Sequence, residues 1–171
     1  MALRFEQLIE RHHDEIFAYL WRLMGHDGRG DGAMDVEDIV QEVFLRAYES
    51  FSRLRPNSNH RAWLYKIATH RAYSQLRRIK HRREKLSILR QSATNQETAS
   101  AVSSLHQYTK QTVLKLVNEL PAKQKACVTL RYLQDMDYPE IAQILSCSQE
   151  SARANVYQAI HRMRIALEKA P

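Results

Sequence analysis

The sequence predicts an all-α protein built from two small helical domains joined by a polar linker, and three observations carry this expectation. Glycine and proline number only four each in 171 residues, and every glycine stands in one stretch, GHDGRGDG, residues 25–32. So few breakers elsewhere favour a mostly helical chain. Apolar residues recur at helical spacing in long blocks on either side of that stretch. From Ser87 to Ser104 the text becomes SILRQSATNQETASAVSS, poor in aromatics and rich in small polar residues, as a linker would be. The expected divisions are therefore 1–86, 87–104 and 105–171, and no repeat of solenoid period interrupts them.

In the first division Phe5, Leu8, Ile9, Ile16, Phe17, Leu20, Leu23 and Met24 keep a helical stripe until the glycines end it. A second helix is expected over DVEDIVQEVFLRAYESF, with Asp35 as N-cap and Asp38 three residues on. Its buried side is Val36, Ile39, Val40, Val43, Phe44, Ala47, Tyr48 and Phe51. Asp38, Gln41, Glu42 and Arg46 stay outside, and residue types alone make that face no more than a solvated, mainly acidic surface. Pro56, Asn57, Ser58 and Asn59 then break the helix.

The next stretch, HRAWLYKIATHRAYSQLRR over residues 60–78, has two faces. Leu64, Ile67, Ala68, Ala72, Leu76 and Ile79 fall on one side, and Trp63, Lys66, His70, Tyr73 and Arg77 on the other. Aromatic rings beside cations on a solvent face suit nucleic acid, because rings stack bases while Lys and Arg track phosphates. Trp63 is open to either a base-stacking or a core position. Arg77, Arg78, Lys80, Arg82, Arg83, Lys85 and Arg90 face only Glu84, which extends the basic track.

The last division predicts a helix over LHQYTKQTVLKLVNELP ending near Pro121, then one over AKQKACVTLRYLQ with Ala126, Cys127, Leu130 and Leu133 inward. YPEIAQIL follows, with Asp137 as cap and Glu140 as its capping-box partner. SCS makes a tight turn, and Ser148 caps QESARANVYQAIHRMRIALEK, whose Val156, Ile160, Met163 and Leu167 face inward. Two helices joined by a three-residue turn form a helix-turn-helix. The outer face of its second helix presents Glu150, Ser151, Ala154, Tyr157, Gln158, His161 and Arg162, flanked by Arg153.

Composition narrows the function classes. Lys and Arg number 26 against 19 acids, net +7, which favours a polyanionic partner. Apolar runs are too short to span a bilayer and MALRFEQLIERHHDE has no signal core, so a cytoplasmic protein without membrane insertion is expected. Cys127 and Cys147 lie twenty residues apart with no CxxC, which points to free thiols in place of a disulfide or zinc site. His12, His13, Asp14 and Glu15 crowd metal-ligand types, but adjacent residues on a helix point apart. DGRGDG lacks the alternating ligands of a calcium loop, and no phosphate loop or Ser, His and Asp arrangement occurs. No cofactor, metal or catalytic residue is expected, and the chain is not read as an enzyme.

DVEDIVQEVFLRAYESF, then RAWLYKIATHRAYSQLRR, then a linker and ELPAKQKACVTLRYLQDMDYPEIAQIL, together resemble the extracytoplasmic-function (ECF) sigma factors of bacterial RNA polymerase across nearly the whole chain. The resemblance implies sigma region 2 in the first domain and a region 4 helix-turn-helix in the last. It implies a protein that binds core polymerase, recognises the minus-ten and minus-thirty-five promoter elements and helps to open the promoter. By position, Asp38, Gln41 and Glu42 resemble the surface that docks on the β′ clamp helices. Asn57, Ser58, Asn59 and His60, with Trp63, Tyr65 and Lys66, resemble the segment that captures an unstacked base of the non-template strand. His70, Arg71, Tyr73, Arg77 and Arg78 would grip its backbone. Ser151, Arg153, Ala154, Asn155, Tyr157, Gln158, His161 and Arg162 would face the minus-thirty-five element, and the same domain would touch the β flap. Promoter DNA would thus be met both double- and single-stranded, and an anti-sigma factor is an implied partner.

The chain departs from the pattern at Asn155, Gln158 and Ile160, where the family often has arginines, so phosphate contacts should be fewer and binding less salt-dependent. Gln158 and Asn155 could pair with adenine edges. The glycine stretch is longer than the family's usual turn. The alternative reading is a helix-turn-helix regulator that never joins polymerase.

Overall fold

The structure is a computed structural model and describes residues 4–25, 32–55, 57–89 and 105–168. Seven helices make up the described residues: α1 (Phe5–Met24), α2 (Gly32–Phe51), α3 (His60–Leu89), α4 (Leu105–Glu119), α5 (Ala122–Tyr132), α6 (Tyr138–Leu145) and α7 (Gln149–Glu168). The all-α expectation holds.

α1 stops where its stripe stops. Gly25 takes a left-handed conformation (φ 69°), and its N–H donates to Arg22 O at 3.3 Å, closing the last turn. A side chain at this position would also meet Lys125 Nζ at 3.1 Å. α2 begins at Gly32, three residues before the expected cap, so Asp35 lies within the helix; its side chain falls outside the described residues. The rest of the glycine stretch, residues 26–31, also lies outside them. α3 runs to Leu89, through residues expected to open the linker.

α1, α2 and α3 pack on one another, and α5, α6 and α7 form a second set. The two sets do not stand apart. α3 lies against α6 and α1 against α5, and one buried cluster runs from Leu8, Leu20, Val43 and Leu64 through to Leu130, Met136, Ile141 and Val156. Apolar burial therefore continues across the join between the halves.

Three residues expected inward are exposed. Tyr48 is 65% exposed, and its ring packs edge-on against Phe5, centroids 5.3 Å apart, at the rim of the bundle. Leu133 is 50% exposed because the chain turns at Asp135 (φ 51°) and Met136 enters the core in its place. Leu167 is 44% exposed in the last turn of α7. Each sits at the end of a helical stripe, where the period continues but the neighbouring element does not. Cys127 is buried and Cys147 half-buried, both as free thiols, and burial pushes the Cys127 thiol up to about 12.

Candidate nucleic-acid interface

The loop before α3 is built by short-range hydrogen bonds. The Ser58 N–H and Oγ both donate to Arg55 O, at 3.0 and 2.8 Å, and Asn59 Oδ1 accepts the Ala62 N–H at 3.0 Å, capping α3. Pro56 lies outside the described residues. Asn57 and Asn59 are exposed, while Ser58 and His60 are half-buried.

Trp63 resolves to an edge position. It is half-buried against the core and lines a groove of about 590 Å³ between α2 and α3, with Arg46, Arg53, His70 and Arg71, and one acid, Glu49, around it. A ring fixed on one face and open on the other, in a groove where basic side chains outnumber the one acid, can stack a flat apolar group and hold its phosphate. Lys66 is half-buried; His70, Arg77 and Arg78 are exposed. Arg71 Nη1 reaches Glu42 Oε2 of α2 at 3.4 Å.

Two of the expected strand-facing rings turn away from solvent. Tyr65 is 0% exposed, edge-on to Tyr19 at 5.0 Å, and its hydroxyl donates to Gln134 Oε1 at 2.7 Å. In this arrangement it cannot touch a strand. Small Ala62, Ala68 and Ala72 leave room beside it, and the C-terminal half covers its other flank. Tyr73 is half-buried on the same side; its hydroxyl donates to Ala122 O at 3.4 Å, and burial raises its pKa above the ordinary phenol value.

Beside Tyr65 lies a polar cluster that the sequence pattern did not reveal. Arg61 Nε and Nη2 donate to Glu15 Oε2 at 3.1 and 2.9 Å, Nη2 donates to Gln134 O at 3.1 Å, and His12 Nδ1 pairs with Glu15 Oε1. The available signal was His12 and Glu15 within the spacing of the buried stripe Leu8, Ile16, Tyr19 and Leu23, since polar groups there need partners. Burial would raise the Glu15 carboxyl, but hydrogen bonds from Arg61 and His12 outweigh it and hold it below the usual carboxylate value of 4.5. A lowered folded-state pKa gives stability that is present above the unfolded value and lost as pH falls through the folded one. Glu15→Gln is therefore expected to weaken the protein near neutral pH and to flatten its acid limb below about 4.5. Urea unfolding at a series of pH values reads this directly; parallel wild-type and variant curves would refute it.

The polymerase-facing candidates Asp38, Gln41 and Glu42 are all exposed on α2. Leu45, 61% exposed, and Tyr48 continue that stripe. Leu45 had no warning in the pattern beyond its spacing from Asp38 and Gln41.

In the C-terminal half, Asp137 Oδ1 accepts the Glu140 N–H at 2.9 Å and Glu140 Oε2 accepts the Asp137 N–H at 3.2 Å, the expected capping box of α6. Ser146 closes α6 in a left-handed conformation (φ 51°), and Ser148 Oγ accepts the Ser151 N–H at 3.1 Å to open α7. The helix-turn-helix thereby exposes Arg153, Ala154, Tyr157, Gln158, His161 and Arg162, with Ser151 and Asn155 half-buried. Tyr157 is 72% exposed and stacks on His161 at 6.2 Å, while Arg153 lies 5.2 Å over the Tyr138 ring. Both adenine-pairing candidates already have partners: Asn155 Nδ2 donates to Ser151 O at 2.7 Å, and Gln158 Oε1 accepts from Gln124 Nε2 at 3.1 Å.

His13 Nδ1 lies 3.1 Å from Asp14 Oδ1, and no group of three or more potential metal ligands gathers among the described residues. No helix among them is long and apolar enough to cross a membrane.

Family models match both halves: Sigma-70 region 2 over residues 8–83 and Sigma-70, region 4 over residues 110–163. The ECF RNA polymerase sigma-E factor of Escherichia coli K12 is 30% identical over 133 residues, covering 73% of this chain and 70% of the relative. That of Haemophilus influenzae is 27% identical over 163 residues, 91% of this chain and 82% of the relative. Among solved structures, the fold is similar to the sigma factor RpoE in complex with the anti-sigma factor NepR from Bartonella quintana (TM-score 0.73, 22% identity, 98% of both chains). It is also similar to CnrH in complex with the cytosolic domain of CnrY (TM-score 0.68, 20% identity, 98% of this chain and 89% of that one). An aromatic and basic groove in one helical unit and a helix-turn-helix in the other thus define a promoter-directed transcription initiation factor of the sigma-70 type. The chain belongs to the ECF sigma factors and acts as an RNA polymerase sigma subunit that binds core enzyme and recognises promoters. The region 2 match removes the reading as a regulator outside polymerase.

Proposed function

We propose that the three activities of a sigma subunit fall on three surfaces of this chain, the first two adjoining at the Glu42 and Arg71 pair. Asp38, Gln41 and Glu42, with Leu45 beside them, dock on the β′ clamp helices. The loop of Asn57, Ser58, Asn59 and His60, with Trp63, Lys66, His70 and Arg71, captures the melted non-template strand of the minus-ten element, and Arg77 and Arg78 hold its phosphates. The outer face of α7, from Ser151 to Arg162, meets the minus-thirty-five element, and its domain touches the β flap. Tyr65 and Tyr73 support the reader from behind. The protein works by binding alone, without catalysis, in the cytoplasm where polymerase acts. An anti-sigma factor is its partner, by analogy with the sigma factor RpoE of similar fold, which is bound to the anti-sigma factor NepR.

The observation that carries the strand-reading role is Trp63 half-buried at the edge of a groove bordered by Arg46, Arg53 and Arg71. Trp63→Ala should weaken binding of a minus-ten non-template oligonucleotide by holoenzyme about tenfold, since a stacked base contributes roughly 1–3 kcal/mol. Fluorescence anisotropy with the oligonucleotide, beside a duplex control that should change little, measures this. Equal loss on both probes would mean that the ring supports the fold and does not stack a base.

A further inference from the structure

The outer face of α7 is apolar along its middle and basic beside it. Ala154, Tyr157 and His161 follow one another at helical spacing and all stand exposed, Tyr157 by 72%. The Tyr157 and His161 rings lie parallel, with 2° between their planes and centroids 6.2 Å apart, and form one ridge on the face that carries the Ala154 methyl. A ring this open buries little of its apolar area within the protein and offers the rest to a partner. Arg153 and Arg162 adjoin the ridge in sequence and are exposed, and the Arg153 guanidinium is steadied over the Tyr138 ring of α6 at 5.2 Å. Cations in these places suit phosphates, which position a helix in the groove without reading sequence.

The hydrogen-bonding amides beside the ridge are committed elsewhere. An amide reads adenine by using its oxygen and its nitrogen together, on N6 and N7 of the base. Asn155 is half-buried, and its Nδ2 donates to Ser151 O at 2.7 Å. Gln158 Oε1 accepts from Nε2 of Gln124, a buried residue of α5, at 3.1 Å. Either amide would have to loosen a bond inside the protein to make the paired contact, whereas the ridge is free as it stands. Of the groups that base pairs present in the major groove, the one an apolar ridge can recognise is the thymine C5-methyl.

We propose that Ala154, Tyr157 and His161 read the minus-thirty-five element through thymine methyl groups, and that Asn155 and Gln158 do not read adenine. The proposal rests on the outer face of α7 meeting that element. It makes the element rich in A·T pairs, with thymines on the strand that faces the ridge. Tyr157 acts through its ring, and its hydroxyl is dispensable.

The test titrates holoenzyme, by fluorescence anisotropy, against labelled duplexes carrying the minus-thirty-five element of a promoter that it transcribes. Uracil in place of the element's thymines removes the methyls and keeps every hydrogen-bonding group. 7-Deazaadenine in place of its adenines removes N7 and keeps the methyls. Uracil should weaken binding about three- to tenfold, the scale on which one or two buried methyls contribute, and 7-deazaadenine by less than about twofold. Tyr157→Phe should keep the full response to uracil. Tyr157→Ala should bind natural DNA about tenfold more weakly and lose most of that response. A uracil duplex that binds as natural DNA does, or a 7-deazaadenine loss as large as the uracil loss, overturns the proposal. So does Tyr157→Phe as weak as Tyr157→Ala, or Tyr157→Ala as sensitive to uracil as wild type. Failure of the underlying reading shows separately: a duplex with a scrambled element would then bind as the natural one does, with wild type and variants alike.

Discussion

Replacing Asp38, Gln41 and Glu42 together by alanine is expected to abolish promoter-specific transcription and to weaken binding to core polymerase about a hundredfold. The three side chains are exposed on the outer face of α2, and the opposite face, Val36, Ile39, Val40 and Val43, is buried, which fixes the helix and so the spacing of the two carboxylates. Interface positions of this kind contribute about 1 kcal/mol each and sometimes more, and close to 3 kcal/mol lost corresponds to roughly a hundredfold in dissociation constant. Stability should hardly move, because the ion pair removed among the described residues is Glu42 to Arg71, with the Glu side chain 55% exposed, and exposed pairs are worth about 0–1 kcal/mol. Titration of labelled protein with core enzyme, together with run-off transcription and a thermal melt, separates docking from folding. Normal transcripts from the triple variant would remove α2 from the polymerase-facing surface.

Leu64→Ala should produce the largest loss of stability. Leu64 is 0% exposed on α3 and belongs to the cluster that reaches from α1 into the C-terminal half. Truncating a buried leucine costs about 2–5 kcal/mol, the spread reflecting how far the site collapses. For a chain of this size that corresponds to a melting temperature lower by roughly 5–15 °C. Because the core is continuous, calorimetry should show one transition displaced as a whole. Leu133→Ala, at a site 50% exposed, serves as the control and should shift melting by no more than a degree or two. Comparable shifts in both would mean that Leu64 is loosely packed; two separate transitions would mean that the halves fold independently.

What could be read in advance was local. The end of α1 at glycine, the Asp137 and Glu140 capping box, the Ser148 cap and the inward positions Val36, Ile39, Val40, Val43, Phe44, Ala47 and Val156 each depend on residues within a few positions of one another, and the structure has them. Tyr65 was misread because its burial is decided by Gln134, 69 residues away, and α3 alone offers no sign that another helix covers that flank. The same holds for the Glu15 and Arg61 pair, 46 residues apart, whose members look like ordinary surface charges in the text. The outward placing of Asp38, Gln41 and Glu42 on α2 and of Ala154, Tyr157, Gln158, His161 and Arg162 on α7 followed from helical spacing and these side chains stand exposed, while Ser151 is half-buried; the roles given to both faces came from the family resemblance. The groove around Trp63 did not follow from it, since its walls come from two helices.

Gly25 sets a limit on how this chain can vary over generations. Its left-handed backbone strains any side chain placed there, and a Cβ would stand 3.1 Å from Lys125 Nζ of α5, which would have to shift, so a change here disturbs the end of α1 and touches its contact with the other half. In a pool of random single substitutions grown under selection for the protein's activity, position 25 should be among the first depleted. Drift in the six positions that follow is not limited by this constraint.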